Sequence, residues 1–277
     1  MMIPKKMADK KIGILGLGIS GNSVLKSLEA GGSKVYAYDD DNISNHKRIN
    51  PKKWPWNELD QIIVSPGISL SHPVVLKAKE LNIQINNEID IFAKSEPKAK
   101  VIGVTGTNGK STTSALLGHL IRFHGYKVEV GGNIGKAATS LIDPGIKGYI
   151  ILELSSFQLE TCSHLKLDGA VILNITPDHI EWHGSLKNYY NAKIKISSFL
   201  KKNAPLLISS NDNLSIKASK ELKKISNVLR LDKNDNKNNL FKKSIYHKEN
   251  IIGSIKLLSS FGMPEKKSLL AVESFKG

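Results

Sequence analysis

The sequence predicts an α/β protein built from two successive parallel-sheet units, and three observations carry that reading. Short Val- and Ile-rich runs without polar alternation end repeatedly in glycine or polar loops, as strands buried on both faces do. Two of these loops, "GLGISG" and "GTNGKST", open directly into segments with helical spacing. Between them the polar stretch "FAKSEPKAK", with Pro97 and no clear period, marks a domain boundary near residue 97.

The elements follow in order. Residues 11 to 15, "KIGIL", read as a strand, and "SGNSVLKSLEAGG" carries Val24, Leu25 and Leu28 at helical spacing before Gly31 and Gly32 stop it. "KVYAYD" is a second strand ending at Asp39, and "QIIVSPGI" a third that closes on Ser65, Pro66 and Gly67. Polar loops at the C-terminal ends of parallel strands form the usual ligand edge of an open α/β sheet. After the boundary the pattern restarts: Val101, Ile102 and Val104 sit in a buried strand, and a helix follows with Leu116, Leu117, Leu120 and Ile121 on one side. "YIILELSS" and "GAVILNIT" are two further strands. From about residue 211 the chain turns rich in Lys and Asn, yet "NIIGSIKLLSSFGM" and "KKSLLAVESF" keep helical spacing to the end.

Composition narrows the function classes. At 277 residues and 40% hydrophobic, the chain can bury the cores of two domains. Cys162 is the only cysteine, so no intrachain disulfide can form and metal ligands must be oxygen or nitrogen. The start, "MMIPKKMADKK", leads into no apolar run of signal or membrane length, so the expectation is a soluble cytoplasmic protein without membrane insertion. The net charge of +15 comes from lysines spread along the chain without interleaved aromatics, which argues against a nucleic-acid surface.

The motifs bear phosphate chemistry. Gly16, Gly18 and Gly21 fit G-x-G-x-x-G, which presents a helix N-terminus to a pyrophosphate. In "GTNGKST", Gly106 and Gly109 let backbone N–H groups turn toward phosphate oxygens, Lys110 adds a positive charge, and Ser111 can face Mg2+. Val104 stands where the longer phosphate-loop pattern has its first glycine, so this is a shorter G-x-x-G-K-S variant. Glu153 ends a strand at the same sheet edge, where a carboxylate can hold a nucleotide-bound metal. "TPDHIEWHG" adds Asp178, His179, Glu181 and His183, without the spacing of an H-E-x-x-H zinc site; His183 reads as a structural or supporting histidine.

These residues, with "GGNIG" at 131 to 135, "ELSSFQLE" at 153 to 160 and "LNITPDHIEWHG", resemble the Mur ligase family of ATP-dependent amino-acid ligases. "ELSSFQLE", "SPGI" and "NEIDIF" are most similar to its D-glutamate-adding branch. The resemblance implies a Rossmann-like UDP-substrate domain over residues 1–97 and a P-loop-type ATPase central domain with a parallel sheet over 98–277. The implied reaction belongs to peptidoglycan-precursor synthesis. The γ-phosphate of ATP passes to the carboxylate of UDP-N-acetylmuramoyl-L-alanine, and the amine of D-glutamate attacks the acyl phosphate. Two Mg2+ sites and a monomer are expected.

Site residues carry over by motif. Gly106, Thr107, Asn108, Gly109, Lys110, Ser111 and Thr112 resemble the ATP loop; Lys110, Glu153, His179 and Lys193 resemble the catalytic set. Ser111, Glu153, His179 and a carbamylated Lys193 resemble metal ligands. Gly18, Ile19, Ser20 and Gly21 are similar to the diphosphate loop, Asp39 to the residue near uridine, and Ser65 and Gly67 to another substrate contact. Asn133, Ser155 and Gln158 complete the implied substrate set. Asp40 and Asp41 stand where some members have Thr and Arg, and Glu181 and Trp182 replace a frequent Asp and Arg. Members continue past "ESFKG" into a third, amino-acid-binding domain, so the expectation is a shortened chain that binds substrate and turns over little. A nicotinamide dehydrogenase, resting on the first glycine loop and Asp39, and a non-catalytic nucleotide-binding module are the alternatives.

Overall fold

The computed structural model describes residues 1–41, 48–209, 211–224, 227–231 and 248–275. Much of the Lys- and Asn-rich stretch, including residues 232–247, lies outside them. The described chain is α/β, with two wholly parallel sheets in two compact units.

The first unit holds the strands β1 (Lys11–Leu15), β2 (Lys34–Tyr38), β3 (Gln61–Val64) and β4 (Gln84–Asn86) in the order β2-β1-β3-β4. Their connections carry the helices α1 (Ile19–Ala30) and α2 (Pro73–Glu80), and α3 (Glu88–Lys94) follows β4. Successive residues of a strand face opposite sides. Thus Ile12, Ile14 and Ile63 pack with Val24, Leu25 and Leu28 of α1 and Ile91 of α3. Leu15, Ile62 and Val64 pack with Trp54, Trp56, Val74 and Val75 on the other face. Both faces are covered, which explains the unbroken apolar runs.

The second unit holds β5 (Lys100–Thr105), β6 (Val128–Gly132), β7 (Tyr149–Glu153), β8 (Gly169–Ile172), β9 (Leu206–Ser209) and β10 (Val228–Leu231), in the order β10-β9-β8-β5-β7-β6. Its helices are α4 (Lys110–Phe123), α5 (Ser156–Thr161, all but its last residue), α6 (Ile180–His183), α7 (Leu186–Ile194), α8 (Asn213–Glu221), α9 (Lys248–Ser259) and α10 (Glu265–Glu273). Leu116, Leu117, Leu120 and Ile121 of α4 bury against β5, β7, α9 and α10 in one core. The chain leaves β5 toward one edge through β6 and β7, then returns to β8 on its other side. The loops after β5 and β8 therefore meet at a switch in strand order, where ligands of open α/β sheets bind. No helix among the described residues is long and apolar enough to cross a membrane.

Besides Met1–Pro97, the first unit includes Gly135–Ile142 and Thr161–Leu165. α3 explains why. Its start, "NEID", is a capping box: Asn87 Oδ1 accepts from Ile89 N at 2.8 Å, and Asp90 Oδ2 from Asn87 N at 3.2 Å. The remaining groups reach the two later segments. Asp90 Oδ1, wholly buried, accepts from Ser163 N at 2.7 Å and His164 N at 2.9 Å. Asn87 Nδ2 donates to Thr161 Oγ1 at 2.8 Å, and Glu88 Oε1 accepts from Thr139 N at 3.0 Å. Burial pushes the Glu88 carboxyl above its ordinary range. The Cys162 thiol, which also faces Asp90, is pushed up to about 12 by burial.

Removing the Asp90 carboxylate strands three backbone donors, the N–H groups of Asn87, Ser163 and His164. Asp90→Ala is expected to lower unfolding free energy by about 2 to 4 kcal/mol in urea titrations, and Asp90→Asn, which keeps one acceptor, by less.

Candidate active site

The loop Gly106-Thr107-Asn108-Gly109 joins β5 to α4, so the first backbone N–H groups of a 14-residue helix point out of the sheet edge. Gly109 is the N-cap, with φ +83°, and an added Cβ would stand 2.7 Å from Asn250 Nδ2 on α9. Glycine is therefore required there by backbone and by space. The neighbouring β8 loop pins the turn. Asn174 O accepts from Thr107 N at 2.9 Å, Asn174 Oδ1 from Asn108 N at 2.8 Å, and Asn174 Nδ2 donates to Asn108 O at 3.0 Å.

Two lysines meet at this loop. Lys110 Nζ donates to Gly106 O at 3.0 Å and to Thr107 O at 2.9 Å. Lys193 Nζ, from α7, donates to the same Gly106 O at 2.8 Å, on a side chain only 2% exposed. Burial first, and then the charge of Lys110, lower the Lys193 amine to about 7, with Asp178 pulling weakly the other way. Its amine lies 4.8 Å from the centre of the Tyr189 ring. Tyr189 in turn places its hydroxyl 2.8 Å from Thr107 Oγ1, which donates to Thr176 O at 3.1 Å. Burial pushes the Tyr189 phenol up to about 12, so it is a hydrogen-bond donor at neutral pH.

Ser111 and Thr112 occupy the first turn of α4, Ser111 exposed and Thr112 half-buried. Glu153 closes β7 and is buried; its Oε1 accepts from Asn133 Nδ2 at 3.0 Å, and its carbonyl from Asn133 N at 2.9 Å. Ser155 and Gln158 form a capping box for α5: Gln158 Oε1 accepts from Ser155 N at 3.0 Å, and Ser155 Oγ from Gln158 N at 3.2 Å. His179 caps α6 in the left-handed region, φ +49°, with Nε2 3.5 Å from Asp178 Oδ2 and its ring 5.0 Å from Phe157. No described hydrogen bond or ion pair joins His179 to Glu153 or Lys193. His183 is fully buried, and burial holds its imidazole below the ordinary range against the upward pull of Glu160.

Among the described residues no group of three or more His, Cys, Asp or Glu side chains could hold a metal by itself. The donors present, a Ser hydroxyl, one buried carboxylate and one imidazole, suit an ion such as Mg2+ that keeps waters and phosphate oxygens among its ligands.

The first unit holds the other predicted residues. Gly16 N donates to Tyr38 O at 2.8 Å, Leu17 N donates to Asp39 Oδ2, and Asp41 N donates to Asp39 Oδ1 at 2.8 Å, so Asp39 closes the loop. Gly21 packs so tightly that a Cβ would lie 1.8 Å from Gly16 O. Gly18, the N-cap of α1, has no side-chain cap and nothing within 4 Å of where a Cβ would stand, and Gly67 is equally open. Ile19 is 76% exposed and Ser20 half-buried beside them. Ser65 Oγ donates to Gly16 O at 3.0 Å, tying the β3 loop to the β1 loop.

Sequence reasoning misses Asn174, Asn250, Tyr189 and Thr176. "LNIT" carries Asn174 and Thr176 in plain view, but the double amide clamp depends on β8 lying beside β5. No local signal marks Asn250 or Tyr189.

The depressed Lys193 amine has a testable consequence. In the unfolded chain it holds its proton up to about 10.5, in the folded chain only to about 7, so between those values the unfolded state binds more protons and stability rises with pH. Denaturation of Lys193→Met is expected to lack that rise and to match or exceed the parent stability at pH 6. Gly109→Ala is expected to destabilise by about 1 to 3 kcal/mol in the same assay, from a strained φ.

The family model described as the Mur ligase middle domain matches residues 104–268, and that of the Mur ligase MurD-like N-terminal domain residues 10–87. A UDP-N-acetylmuramoylalanine–D-glutamate ligase from Wolbachia pipientis wMel is 40% identical over 202 residues, 69% of this chain and 39% of the relative. The chain spans between 39% and 51% of the length of such curated relatives. In fold it is similar to the UDP-N-acetylmuramate:L-alanyl-gamma-D-glutamyl-meso-diaminopimelate ligase from Neisseria meningitides, with TM-score 0.69 at 15% identity, covering 98% of this chain and 99% of that one. It is also similar to MurF ligase from Thermotoga maritima in complex with ADP, with TM-score 0.50 at 17% identity over 95% of this chain and 63% of that one. With a middle-domain match over more than half its length and a MurD-like match before it, the chain belongs to the Mur ligase family.

Proposed function

We propose that this chain forms the nucleotide-sugar and ATP parts of a peptidoglycan-precursor ligase that joins D-glutamate to UDP-N-acetylmuramoyl-L-alanine. The convergence of Lys110 and Lys193 on Gly106 O, inside a glycine loop opening α4, carries the reading. The Lys110 ammonium, with the Lys193 amine beside it and the backbone N–H groups of the helix start, makes a site that calls for a polyphosphate. The Thermotoga relative's complex with ADP supports an adenine nucleotide as ligand, and the names of the curated relatives support the two substrates.

In this reading Gly106 to Thr112 hold the β- and γ-phosphates, and Lys110 leaves its own loop carbonyls to neutralise the charge on the moving phosphoryl group. Phosphoryl transfer is mainly positioning and charge stabilisation, which such a loop supplies. Mg2+, when bound, adds further charge neutralisation; Ser111, Glu153, His179 and Lys193 as a carbamate are the residues that would hold it at two sites. An amine lowered to about 7 suits carbamate formation: the Nζ lone pair adds to carbon dioxide and a proton leaves to solvent. Gly18, Ile19, Ser20 and Gly21 take the UDP diphosphate, Asp39 lies near the uridine, Ser65 and Gly67 make another substrate contact, Asn133 lies at the substrate phosphates, and Ser155 and Gln158 complete the substrate set. The protein works as a cytoplasmic monomer.

Because the chain spans about half the length of its relatives, binding tests the reading more directly than turnover. Titration calorimetry on the purified chain is expected to find one site for Mg2+-ATP and one for UDP-N-acetylmuramoyl-L-alanine, with Lys110→Ala weakening ATP at least about tenfold by loss of a charge-assisted contact. Saturable NADH binding in place of the UDP substrate would turn the assignment of the first loop to a dehydrogenase.

A further inference from the structure

His183 lies at the centre of an aromatic and polar cluster that the proposed chemistry does not itself use. Its side chain is wholly buried, and both ring nitrogens face α5: Nε2 is 3.0 Å from Ser156 Oγ and Nδ1 is 3.2 Å from Glu160 Oε2. Ser156 and Glu160 are four residues apart on one helix, hence on one face, and a single imidazole spans them. A carboxylate oxygen can only accept, so the Glu160 contact, an ion pair outside hydrogen-bond geometry, favours the proton on Nδ1 and leaves Nε2 to accept from the Ser156 hydroxyl. This is the carboxylate, imidazole and hydroxyl order of a nucleophilic triad. Ser156, however, is 2% exposed, so no substrate reaches it and the order fixes a ring orientation instead.

That orientation is passed on through ring contacts. Phe157 stacks on His183 with centres 5.4 Å apart and planes within 5°, and the same phenyl ring is 5.0 Å from His179. On the other side Tyr189 meets His183 edge-on at 5.4 Å, and Tyr189 carries both the Thr107 hydrogen bond and the Lys193 amine contact. The backbone of His183 also fixes the start of α7, since its carbonyl accepts from Asn188 Nδ2 at 2.8 Å.

We propose that His183 is a positioning residue, held in one orientation by Ser156 and Glu160, which sets the rings of Phe157 and Tyr189 and through them the placement of His179 and Lys193. The roles given to His179 and Lys193 rest on the function proposed above; the geometry of the cluster does not.

Nitrogen NMR of the histidine-labelled full chain tests the orientation without mutation. The neutral form protonated on Nδ1 is expected for His183; an Nε2-protonated or doubly protonated ring overturns the proposal. His183→Phe then keeps ring volume and stacking while removing the Ser156 hydrogen bond and the Glu160 ion pair, and Glu160→Gln keeps an oxygen facing Nδ1. Two readouts separate positioning from packing: the carbamate signal at Lys193 with carbon-13-labelled bicarbonate, and the Mg2+-dependent gain in ATP affinity. His183→Phe, still folded by its melting transition, is expected to lose about tenfold in one or both, the usual effect of removing a supporting partner, and Glu160→Gln, with His183 intact, to keep most of both. A folded His183→Phe with both readouts unchanged overturns the proposal. Should the parent chain give no carbamate signal, the Lys193 assignment fails by itself, and the Mg2+-dependent affinity, read through His179, still decides the role of His183.

Discussion

Two lysine side chains donate to one carbonyl oxygen, and much of the second unit is arranged around that crowding. Gly106 O receives Lys110 from the helix that follows it and Lys193 from a helix more than eighty residues later. Like charges at one point are repulsive, more so out of water. The protein relieves the strain by burying Lys193 until its amine sheds a proton near pH 7, with the Tyr189 ring face beneath it. Negative charge beside the two amines would relieve what repulsion remains. The Asn174 clamp and the Thr107 hydroxyl network keep the loop rigid in the meantime. The site is thus preorganised for an anion and disfavours its own ground state.

The architecture is legible because its signals are local. Buried parallel strands need unbroken apolar runs, and "KIGIL", "QIIV" and "YIILE" supply them; the structure places all three as strands. Helix stops are equally plain, since Gly31 follows α1 directly. What a linear reading cannot separate are residues 135–142 and 161–165, which pack with the first unit. Their attachment runs through Asp90, Asn87 and Glu88, whose capping pattern announces a helix start and says nothing of which distant backbone donors the same carboxylates accept.

The site divides along the same line. Lys110 and Ser111 follow from a glycine loop between strand and helix, which needs no tertiary knowledge. Lys193 does not; only the family resemblance of "NYYNAKIKI" picks it from among the many lysines, and its burial against Gly106 O is what sets it apart in the fold. Asn174 and Tyr189 stay hidden because their work is done across strands and helices, by an amide that imitates a backbone pair and a phenol that reaches the loop. Ser155 and Gln158 show the reverse. A motif that resembles a substrate contact is also a helix cap, so part of its sequence signal is structural.

The two glycine loops share a geometry and differ in charge, and the difference argues which nucleotide each one serves. At the first, both oxygens of Asp39 accept backbone N–H groups and no lysine donates to the loop among the described contacts. A diphosphate there would be met by the N-terminus of α1 and the open space over Gly18, a setting that holds an anion without drawing charge away from it. At the second, Lys110 and the buried Lys193 donate to the loop, and a carboxylate ends the neighbouring strand β7. Breaking a phosphoryl bond requires charge to be neutralised as it moves, whereas anchoring a nucleotide tail requires only that it stay put. The first loop is therefore suited to a pyrophosphate that survives the reaction and the second to one that is consumed, a division that fits a ligase and leaves a hydride-transferring enzyme without a use for its second loop.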